Sequence, residues 1–259
     1  MIVVFTDLDG TLLDHDSYSF EPARAALERL AAERIPLVLA SSKTEVEMRP
    51  IAQAIGIDWP MIVENGAGVV GLPGQDANTG CYEELRNFLA GLPVSLRDCF
   101  QGFGDWSDAE VAERTGLPLA AARLARQRQF SEPGIFDGTD AQKADLLERL
   151  DEAGFRAAQG GRFFTLMPQT SKADAMANVA AHFRSRHEGP VTTVALGDAQ
   201  NDLAMLEAAD RGFIIHNPAH EPLPVTKREL EGSITRSEAA GPTGWNQMIL
   251  DYLASRPTA

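Results

Sequence analysis

Short apolar runs alternate with helix-like patterns at the two ends of this chain. Apolar runs of strand length occupy residues 2–5, 35–40, 61–63, 191–196 and 213–215. Apolar positions at helical spacing predict helices over residues 22–33, 45–55, 173–184, 203–209 and 244–254. Continuous apolar runs separated by helices are typical of parallel strands that are buried on both faces. The pattern therefore predicts an α/β fold with a Rossmann-like doubly wound parallel sheet and right-handed crossovers.

The pattern changes in the middle of the chain. Residues 71–80 are rich in glycine, with proline and asparagine, which is the chemistry of a linker. Shorter elements follow: helices over residues 83–90, 118–125 and 141–153, a capping box at Ser107 and Glu110, and a hairpin over 155–167. We expect a smaller α+β domain, residues 77–167, inserted into a core that is formed by residues 1–76 and 168–259.

Two carboxylates, Asp7 and Asp9, stand at the end of the first apolar run. Ligands of parallel sheets bind at this edge, and alternation along a strand sends both side chains to the same side. Neighbouring buried anions need a cation, and a hard ion with oxygen ligands such as Mg²⁺ suits them. Asp7 would then be a nucleophile for phosphorus, and Asp9 a general acid and base. An Asp-x-Asp pair alone is expected roughly once by chance in a chain of this length.

Three further sites support this interpretation. Ser41, Ser42, Lys43 and Thr44 follow the second apolar run and precede a helix, a place that suits a phosphate oxygen. Taken alone, the serines are more often a plain helix cap. Lys172 precedes another helix and can neutralise a phosphoryl group, although such lysines are usually solvated. Asp198 follows the run 191–196 and Gly197, which makes it the expected third Mg²⁺ ligand, with Asn201 and Asp202 as supporting residues.

Two polar stretches are candidates for binding the substrate. Asn65 lies after the run 61–63, where it can bind substrate or form an ordinary Asn-Gly turn. Arg162 follows Gly160 and Gly161, so backbone N–H groups and a guanidinium would face one spot. That arrangement suits a carboxylate or a sugar acid, and the alternative is an exposed hairpin turn.

Charge and composition limit the classes of partner that the protein can bind. The net charge of −14 argues against nucleic acid or an anionic membrane as a partner. No apolar run approaches membrane length. Two cysteines are too few for a disulfide framework, and we expect no signal peptide because the first strand begins at residue 2. We expect a cytoplasmic protein, either a monomer or a homodimer, whose partner is a small phosphorylated molecule.

The four sites together resemble the motifs of the haloacid dehalogenase-like (HAD) phosphohydrolases. The matching residues are the stretch 7–11, Ser41, Lys172, and Gly197 and Asp198 with Asn201 and Asp202. The resemblance implies that Ser41, Ser42 and Lys172 bind phosphate. It also implies that Asp7, Asp198 and Asp9, the last through its backbone carbonyl, hold Mg²⁺. The predicted insert resembles the C2-type cap of the Cof-like branch, which supplies substrate specificity.

A narrower resemblance covers nearly the whole chain. The stretches 41–44, 64–66, 102–107, 115–117, 127–130, 160–163 and 241–245 are similar to those of the mannosyl-3-phosphoglycerate phosphatase family. Such enzymes release phosphate to give mannosylglycerate, a compatible solute. The resemblance implies substrate contacts by Lys43, Thr44, Asn65, Arg128, Glu132 and the residues 160–162. A phosphatase for glucosyl-3-phosphoglycerate or another sugar phosphate, and a sugar-phosphate-binding protein without turnover, are the alternatives.

Overall fold

The chain forms two main sheets in the computed structural model, which describes residues 1–73, 80–160, 162–219 and 221–256. The first part of the chain contains β1 (Ile2–Thr6), α1 (Arg24–Ala32), β2 (Leu37–Leu39), α2 (Glu45–Ile55), β3 (Met61–Val63) and β4 (Gly68–Val70). The middle contains α3 (Cys81–Gly91), α4 (Val94–Arg97), β5 (Phe100–Gly102), α5 (Asp108–Thr115), α6 (Leu119–Ala125), β6 (Glu132–Phe136), α7 (Asp140–Glu152), β7 (Phe155–Gly160) and β8 (Phe163–Pro168). The last part contains α8 (Lys172–Arg184), β9 (Thr192–Gly197), α9 (Leu203–Ala208), β10 (Arg211–His216), α10 (Lys227–Leu230), β11 (Ile234–Ala240) and α11 (Gly241–Ala254). Single 3₁₀ turns lie at Glu21–Ala23 and Gln200–Asp202, and a turn of left-handed backbone lies at Glu64–Gly66.

The larger sheet is parallel throughout. Among the described residues it has the order β11-β10-β9-β1-β2. Thr6 at the end of β1 lies opposite Leu39 of β2 on one side and Leu196 of β9 on the other. The carboxyl ends of these three strands therefore share one edge, where ligands of such sheets bind. The predicted α/β class with a parallel Rossmann-like sheet is confirmed.

Helices cover both faces of the sheet. Successive strand residues point to opposite faces, so neighbouring residues belong to different apolar clusters. Val4 and Leu39 belong to the apolar cluster that includes residues of α1, α2 and α11. Val3 and Phe5 belong to a second cluster, with residues of α8 and α9. This double burial explains why β1 and β9 are continuous apolar runs rather than alternating ones.

The middle of the chain forms a separate antiparallel sheet with the order β5-β6-β8-β7 among the described residues. We call residues 80–168, from the N-cap of α3 to the end of β8, the insert. The predicted hairpin is present as β7 and β8. The predicted boundary at residues 76 and 77 falls within 74–79, outside the described residues, so the domain limits stay a prediction.

One strand of the parallel sheet differs from the sequence prediction. The run 213–215 was expected to be the last strand of the core, but β11 pairs with β10 in parallel and extends the sheet. In β11 only Ile234 and Ser237 are buried, and the sequence forms no apolar run, so it lacks the signal of a fully buried strand. None of the helices in the described ranges is long and apolar enough to cross a membrane.

Candidate active site

Three buried carboxylates meet at the carboxyl edge of the parallel sheet. Asp7 follows β1, and Asp198 follows the neighbouring strand β9. The Asp7 N–H donates to the Leu196 carbonyl at 2.9 Å, which fixes the two strand ends side by side. With Asp202, they place one carboxylate oxygen each within 4.8 Å of the others. The topology thus brings together acids from opposite ends of the sequence.

Lys172 joins two of these acids. It is the first residue of α8, and its Nζ donates to Asp7 Oδ1 and to Asp202 Oδ1, both at 2.6 Å. Its side chain is almost entirely buried. Burial alone would lower the pKa of the ammonium, but Asp202 and Asp7 outweigh it and raise the pKa above its ordinary value. Lys172 is therefore a fixed positive charge beside Asp7.

Asp198 is held by side chains from distant parts of the chain, and Asp202 by the backbone of its own loop. Thr11 Oγ1 donates to Asp198 Oδ1, and Asn217 Nδ2 donates to Asp198 Oδ2, both at 2.7 Å. Asp202 Oδ2 accepts from the N–H groups of Asp198 at 3.2 Å and Ala199 at 3.1 Å. Both oxygens of Asp202 are thus engaged within the protein, which makes it a support for Lys172 and the Asp198 loop.

The electrostatics of the cluster favour a cation. Burial raises the pKa of Asp7 well above its ordinary value; Lys172 opposes this effect, while Asp202 and Asp198 add to it. The three acids carry more negative charge than Lys172 balances, and their oxygens are the ligands that Mg²⁺ prefers. Asp202 pairs with the charged Lys172 and two backbone N–H groups, whereas Thr11 and Asn217, the donors to Asp198, are neutral side chains that leave its negative charge uncompensated. Asp7 and Asp198 are therefore the side chains that fit a metal ion here.

Asp9 lies outside this cluster and pairs with Lys43. Its Oδ2 is 2.8 Å from Lys43 Nζ, and its Oδ1 is buried without a hydrogen-bond partner among the described residues. Burial disfavours the charged Lys43 ammonium, but Asp9 outweighs that effect, so the pKa of Lys43 is raised. The ammonium also lies 5.5 Å from the centre of the Tyr18 ring. Asp9 and Lys43 form a second ion pair, which is partly open to solvent.

Gly10 makes the approach of Asn217 to Asp198 possible. Its φ of +77° is in the left-handed region that favours glycine. A Cβ atom built on Gly10 would lie 2.2 Å from Asn217 Nδ2 and 3.0 Å from Asp198 Oδ2. The turn after β1 therefore requires a residue without a side chain.

The other predicted core residues lie around this centre. Ser41 is buried after β2, and its hydroxyl accepts from the Lys43 N–H at 3.3 Å, while Ser42 is exposed. Thr44 is fully buried and forms the N-terminal capping box of α2 with Glu47, which explains it without a ligand. Asn201 Nδ2 donates to Asn65 Oδ1 at 3.0 Å. Asn65 also lies in the turn between β3 and β4, and its contact with substrate stays a prediction.

The predicted residues of the insert do not form one group. Arg128 reaches the core, where its Nη atoms lie 3.3 Å from the Ser42 carbonyl oxygen. Glu132 is fully buried inside the insert, and its partners there are Tyr82 Oη at 2.6 Å, Gly104 N at 2.8 Å and Arg86 Nη1 at 2.9 Å. These contacts account for Glu132 as an internal anchor, and its predicted substrate contact would compete with them.

The hairpin residues of the insert are only partly described. Arg162 Nη1 donates to the carbonyl oxygen of Arg114 at 2.6 Å. Gly160 ends β7, and Gly161 lies outside the described residues. The predicted joint use of these three residues in binding a sugar acid therefore stays a prediction.

The sequence analysis missed two residues, one that contacts the acidic cluster and one that contacts the insert. Asn217 follows β10 as Asp7 follows β1, so the rule of polar residues at strand ends points to it. Glu64 directly follows β3, but its side chain binds the insert rather than the acidic cluster, and no local pattern indicates such a contact.

Comparisons with known proteins agree with the motifs. A family model described as haloacid dehalogenase-like hydrolase matches residues 4–82 and 136–228. A glucosyl-3-phosphoglycerate/mannosyl-3-phosphoglycerate phosphatase of Persephonella marina is 37% identical, with 96% of each chain covered. A protein of the same name from Methanococcoides burtonii is 31% identical, with 97% of each chain covered.

A solved structure has the same fold at low sequence identity. A haloacid dehalogenase-like hydrolase from Bacteroides thetaiotaomicron superimposes with a TM-score of 0.66 and is 16% identical. The match covers 96% of this chain and 98% of the other. At this identity the similarity concerns the fold alone, and it extends over the parallel sheet and the insert.

Proposed function

This chain belongs to the haloacid dehalogenase-like hydrolase family, and we propose that it hydrolyses mannosyl-3-phosphoglycerate to mannosylglycerate and phosphate with Mg²⁺. The family predicted from the four motifs is confirmed. So is the enzyme class, a phosphoric monoester hydrolase, because the full-length relatives are named phosphatases. The proposed reaction rests above all on the buried contact between Asp7 and Lys172 beside Asp198, at the edge of the sheet.

Asp7 is the proposed nucleophile. One of its carboxylate oxygens accepts from Lys172, which leaves the other to attack phosphorus and form an aspartyl phosphate. The bond between phosphorus and the glycerate oxygen breaks in that step, and the leaving oxygen takes a proton from Asp9, which enters the step protonated and leaves it as a carboxylate. Asp9 then removes a proton from the water that hydrolyses the aspartyl phosphate. The partly exposed Asp9 carboxylate suits this exchange of protons with solvent.

Mg²⁺ would be held by Asp7, Asp198 and the backbone carbonyl of Asp9. When bound, it supplies positive charge that offsets the phosphate oxygens and the two carboxylates. Thr11 and Asn217 fix both oxygens of Asp198, and such outer contacts usually set the affinity of a metal site. The burial of Lys172 lets its charge act on the phosphoryl group with little screening by water.

The insert is proposed to recognise the glycosyl group of the substrate. Arg128 reaches the Ser42 carbonyl, so it stands where the core and the insert meet above the proposed phosphate loop, residues 41–44. Its guanidinium can pair with the glycerate carboxylate. The named substrates of the two relatives support a glycosyl-3-phosphoglycerate, and the glucosyl analogue is the second candidate. We keep the predicted cytoplasmic location, which two cysteines outside disulfides support.

Phosphate release tests this proposal. Purified protein is incubated with mannosyl-3-phosphoglycerate, glucosyl-3-phosphoglycerate and a panel of other sugar phosphates, with Mg²⁺ or with EDTA. We expect turnover of the mannosyl substrate with Mg²⁺ only, and a loss of at least about a thousandfold in Asp7→Asn. A preference for another sugar phosphate would refute the substrate, and tight binding without turnover would support a binding protein instead.

A further inference from the structure

A strained loop stands between the parallel sheet and the insert. We call residues Glu64–Gly66, directly after β3, the junction loop. Its three residues have φ values of +52°, +60° and +89°. Left-handed backbone is unfavourable for glutamate, and it persists where surrounding contacts hold it in place. The contacts of Glu64 show what this conformation achieves.

The carboxylate of Glu64 receives the backbone of the insert. Oε1 accepts from the Gln129 N–H at 2.8 Å. Oε2 accepts from the Ser131 N–H and hydroxyl, both at 2.8 Å, and from the Phe130 N–H at 3.3 Å. Glu64 is 1% exposed, so these donors replace water around a buried charge. One core side chain thus binds three consecutive residues of the insert.

Two further contacts follow from this anchor. Arg128 Nε lies 3.2 Å from Glu64 Oε2, and Arg128 Nη2 donates to Ser131 Oγ at 2.8 Å. The guanidinium is therefore held beside the Ser42 carbonyl. The Phe130 ring packs on the core backbone, since a Cβ atom built on Gly68 would lie 2.4 Å from it.

The other residues of the junction loop contact the catalytic edge. Asn65 accepts from Asn201 in the loop after β9. The carbonyl oxygen of Gly66 accepts from Thr170 Oγ1 at 3.2 Å. A Cβ atom built on Gly66 would lie 2.2 Å from the Ser171 carbonyl carbon, directly before Lys172. The loop is thus wedged between the start of α8 and the insert.

We propose that Glu64 is a positioning residue that clamps residues 128–131 of the insert to the core and thereby sets the insert, with Arg128, over the phosphate-binding loop. This inference rests on the proposed function, because it assumes that the insert reads the glycosyl group. A glycosyl substrate needs the insert in this position. A small phosphomonoester that contacts only the core edge does not need it.

Glu64→Gln tests the clamp with nearly the same shape. Both oxygens of Glu64 accept hydrogen bonds, so an amide NH₂ must face at least one N–H donor of the insert. We expect amide exchange at residues 129–131 to accelerate by about tenfold or more. We expect KM for mannosyl-3-phosphoglycerate to rise by about tenfold, with kcat/KM for p-nitrophenyl phosphate unchanged within about twofold. Glu110→Gln, the same change in the capping box of α5, should leave all three quantities unchanged.

Two controls keep the outcome decisive. If thermal melting shows that Glu64→Gln is unfolded, Ser131→Ala replaces it, since it removes one donor to Glu64 and leaves the backbone bonds in place. It should raise KM for the glycosyl substrate a few-fold and spare the small one. Unchanged exchange and KM would overturn the clamp. An equal loss on both substrates would also overturn it, because the loop would then act on Lys172.

A failure of the proposed substrate gives a different pattern from a failure of the clamp. In the former case, wild-type protein hydrolyses p-nitrophenyl phosphate but not the glycosyl substrate. Amide exchange at residues 129–131 in Glu64→Gln then decides on the clamp alone. Faster exchange supports it, and unchanged exchange overturns it.

Discussion

Gly10 permits the contacts within the acidic cluster because it has no side chain. Gly10→Ala would force a Cβ atom to within 2.2 Å of Asn217 Nδ2, which must then leave Asp198. We expect a loss of about 2–3 kcal/mol in unfolding free energy, from the left-handed φ and the overlap together. We expect kcat to fall by at least about a hundredfold, because Asp198 loses its orientation. Thermal denaturation and phosphate release measure the two effects.

Gly56→Ala is the matched control for this change. Gly56 has a similar φ of +81° at the end of α2, but nothing lies within 4 Å of a Cβ atom built there. It should lose only about 1 kcal/mol of stability and keep its activity. If Gly10→Ala behaved in the same way as Gly56→Ala, the close contact with Asn217 would not matter for catalysis.

Asn217 should affect the affinity of the site for Mg²⁺. Asn217→Ala removes the donor to Asp198 Oδ2 and leaves Thr11 on Oδ1. We expect the Mg²⁺ concentration for half-maximal activity to rise by about 10–100-fold. A Mg²⁺ titration of phosphate release measures this shift. Asn246→Ala, an asparagine that accepts from the Ala26 N–H instead, should leave it unchanged. An unchanged midpoint in Asn217→Ala would contradict the role of Asn217.

Local sequence patterns predicted the helices and strands that have a recognisable sequence signal of their own. The α2 helix begins and ends where the sequence predicted, because Thr44 and Glu47 cap its start and Gly56 ends it. β1 and β9 were clear because burial on both faces leaves apolar runs. β5 and β11 were missed, since a three-residue strand and a half-exposed edge strand depend on their partners β6 and β10.

The candidate site divides in the same way. Asp7, Asp198 and Lys172 could be proposed because each stands next to a recognisable element, and parallel strands end at one edge. The partners of Asn217 and Glu64 lie 19 and 65 residues away, so only the fold reveals their contacts. The roles of residues that stand next to a recognisable strand or helix could be predicted. Contacts between residues that lie far apart in the sequence could not.

Asp105 connects three elements of the insert. Its Oδ1 accepts from Arg86 of α3 and Arg97 of α4, both at 2.6 Å, and Oδ2 accepts from the Gly102 N–H of β5 at 2.9 Å. Burial raises the pKa of this carboxyl, but the hydrogen bonds from Arg86 and Gly102 outweigh it and hold the pKa below its ordinary value. A lowered pKa in the folded state stabilises the protein above about pH 4, and this stabilisation is lost as the pH falls through the folded-state value.

Asp105→Asn therefore gives a pH-dependent loss of stability. We expect it to reduce the unfolding free energy by about 1–3 kcal/mol near pH 7. The difference from wild type should shrink as the pH falls below about 4, because the wild-type carboxyl is then protonated. Denaturant unfolding between pH 3 and 7 measures this difference. Asp145→Asn, in an exposed pair with Arg149, should cost little at any pH, and a constant cost for Asp105→Asn would contradict the electrostatic explanation.

For the whole molecule, Mg²⁺ should stabilise the fold. The chain carries a net charge of −14, and three of its acids are buried together at the centre of the sheet edge. A cation that binds the folded protein alone adds about 2.7 kcal/mol at a hundredfold excess over its Kd. For a chain of this size, that corresponds to a rise of roughly 5–10 °C in Tm. Thermal denaturation in Mg²⁺ and in EDTA measures the difference.

Asp198→Asn separates this binding from a general effect of salt. The amide oxygen can still accept from Asn217, and its NH₂ can donate to the Thr11 hydroxyl, so the side chain keeps its place. The substitution removes one of three buried like charges, so the variant in EDTA should melt at or above the wild-type temperature. It also removes a ligand, so the Mg²⁺-dependent rise should disappear. A rise that survives in Asp198→Asn would mean that Mg²⁺ acts on the acidic surface, since the buried site can then no longer explain it.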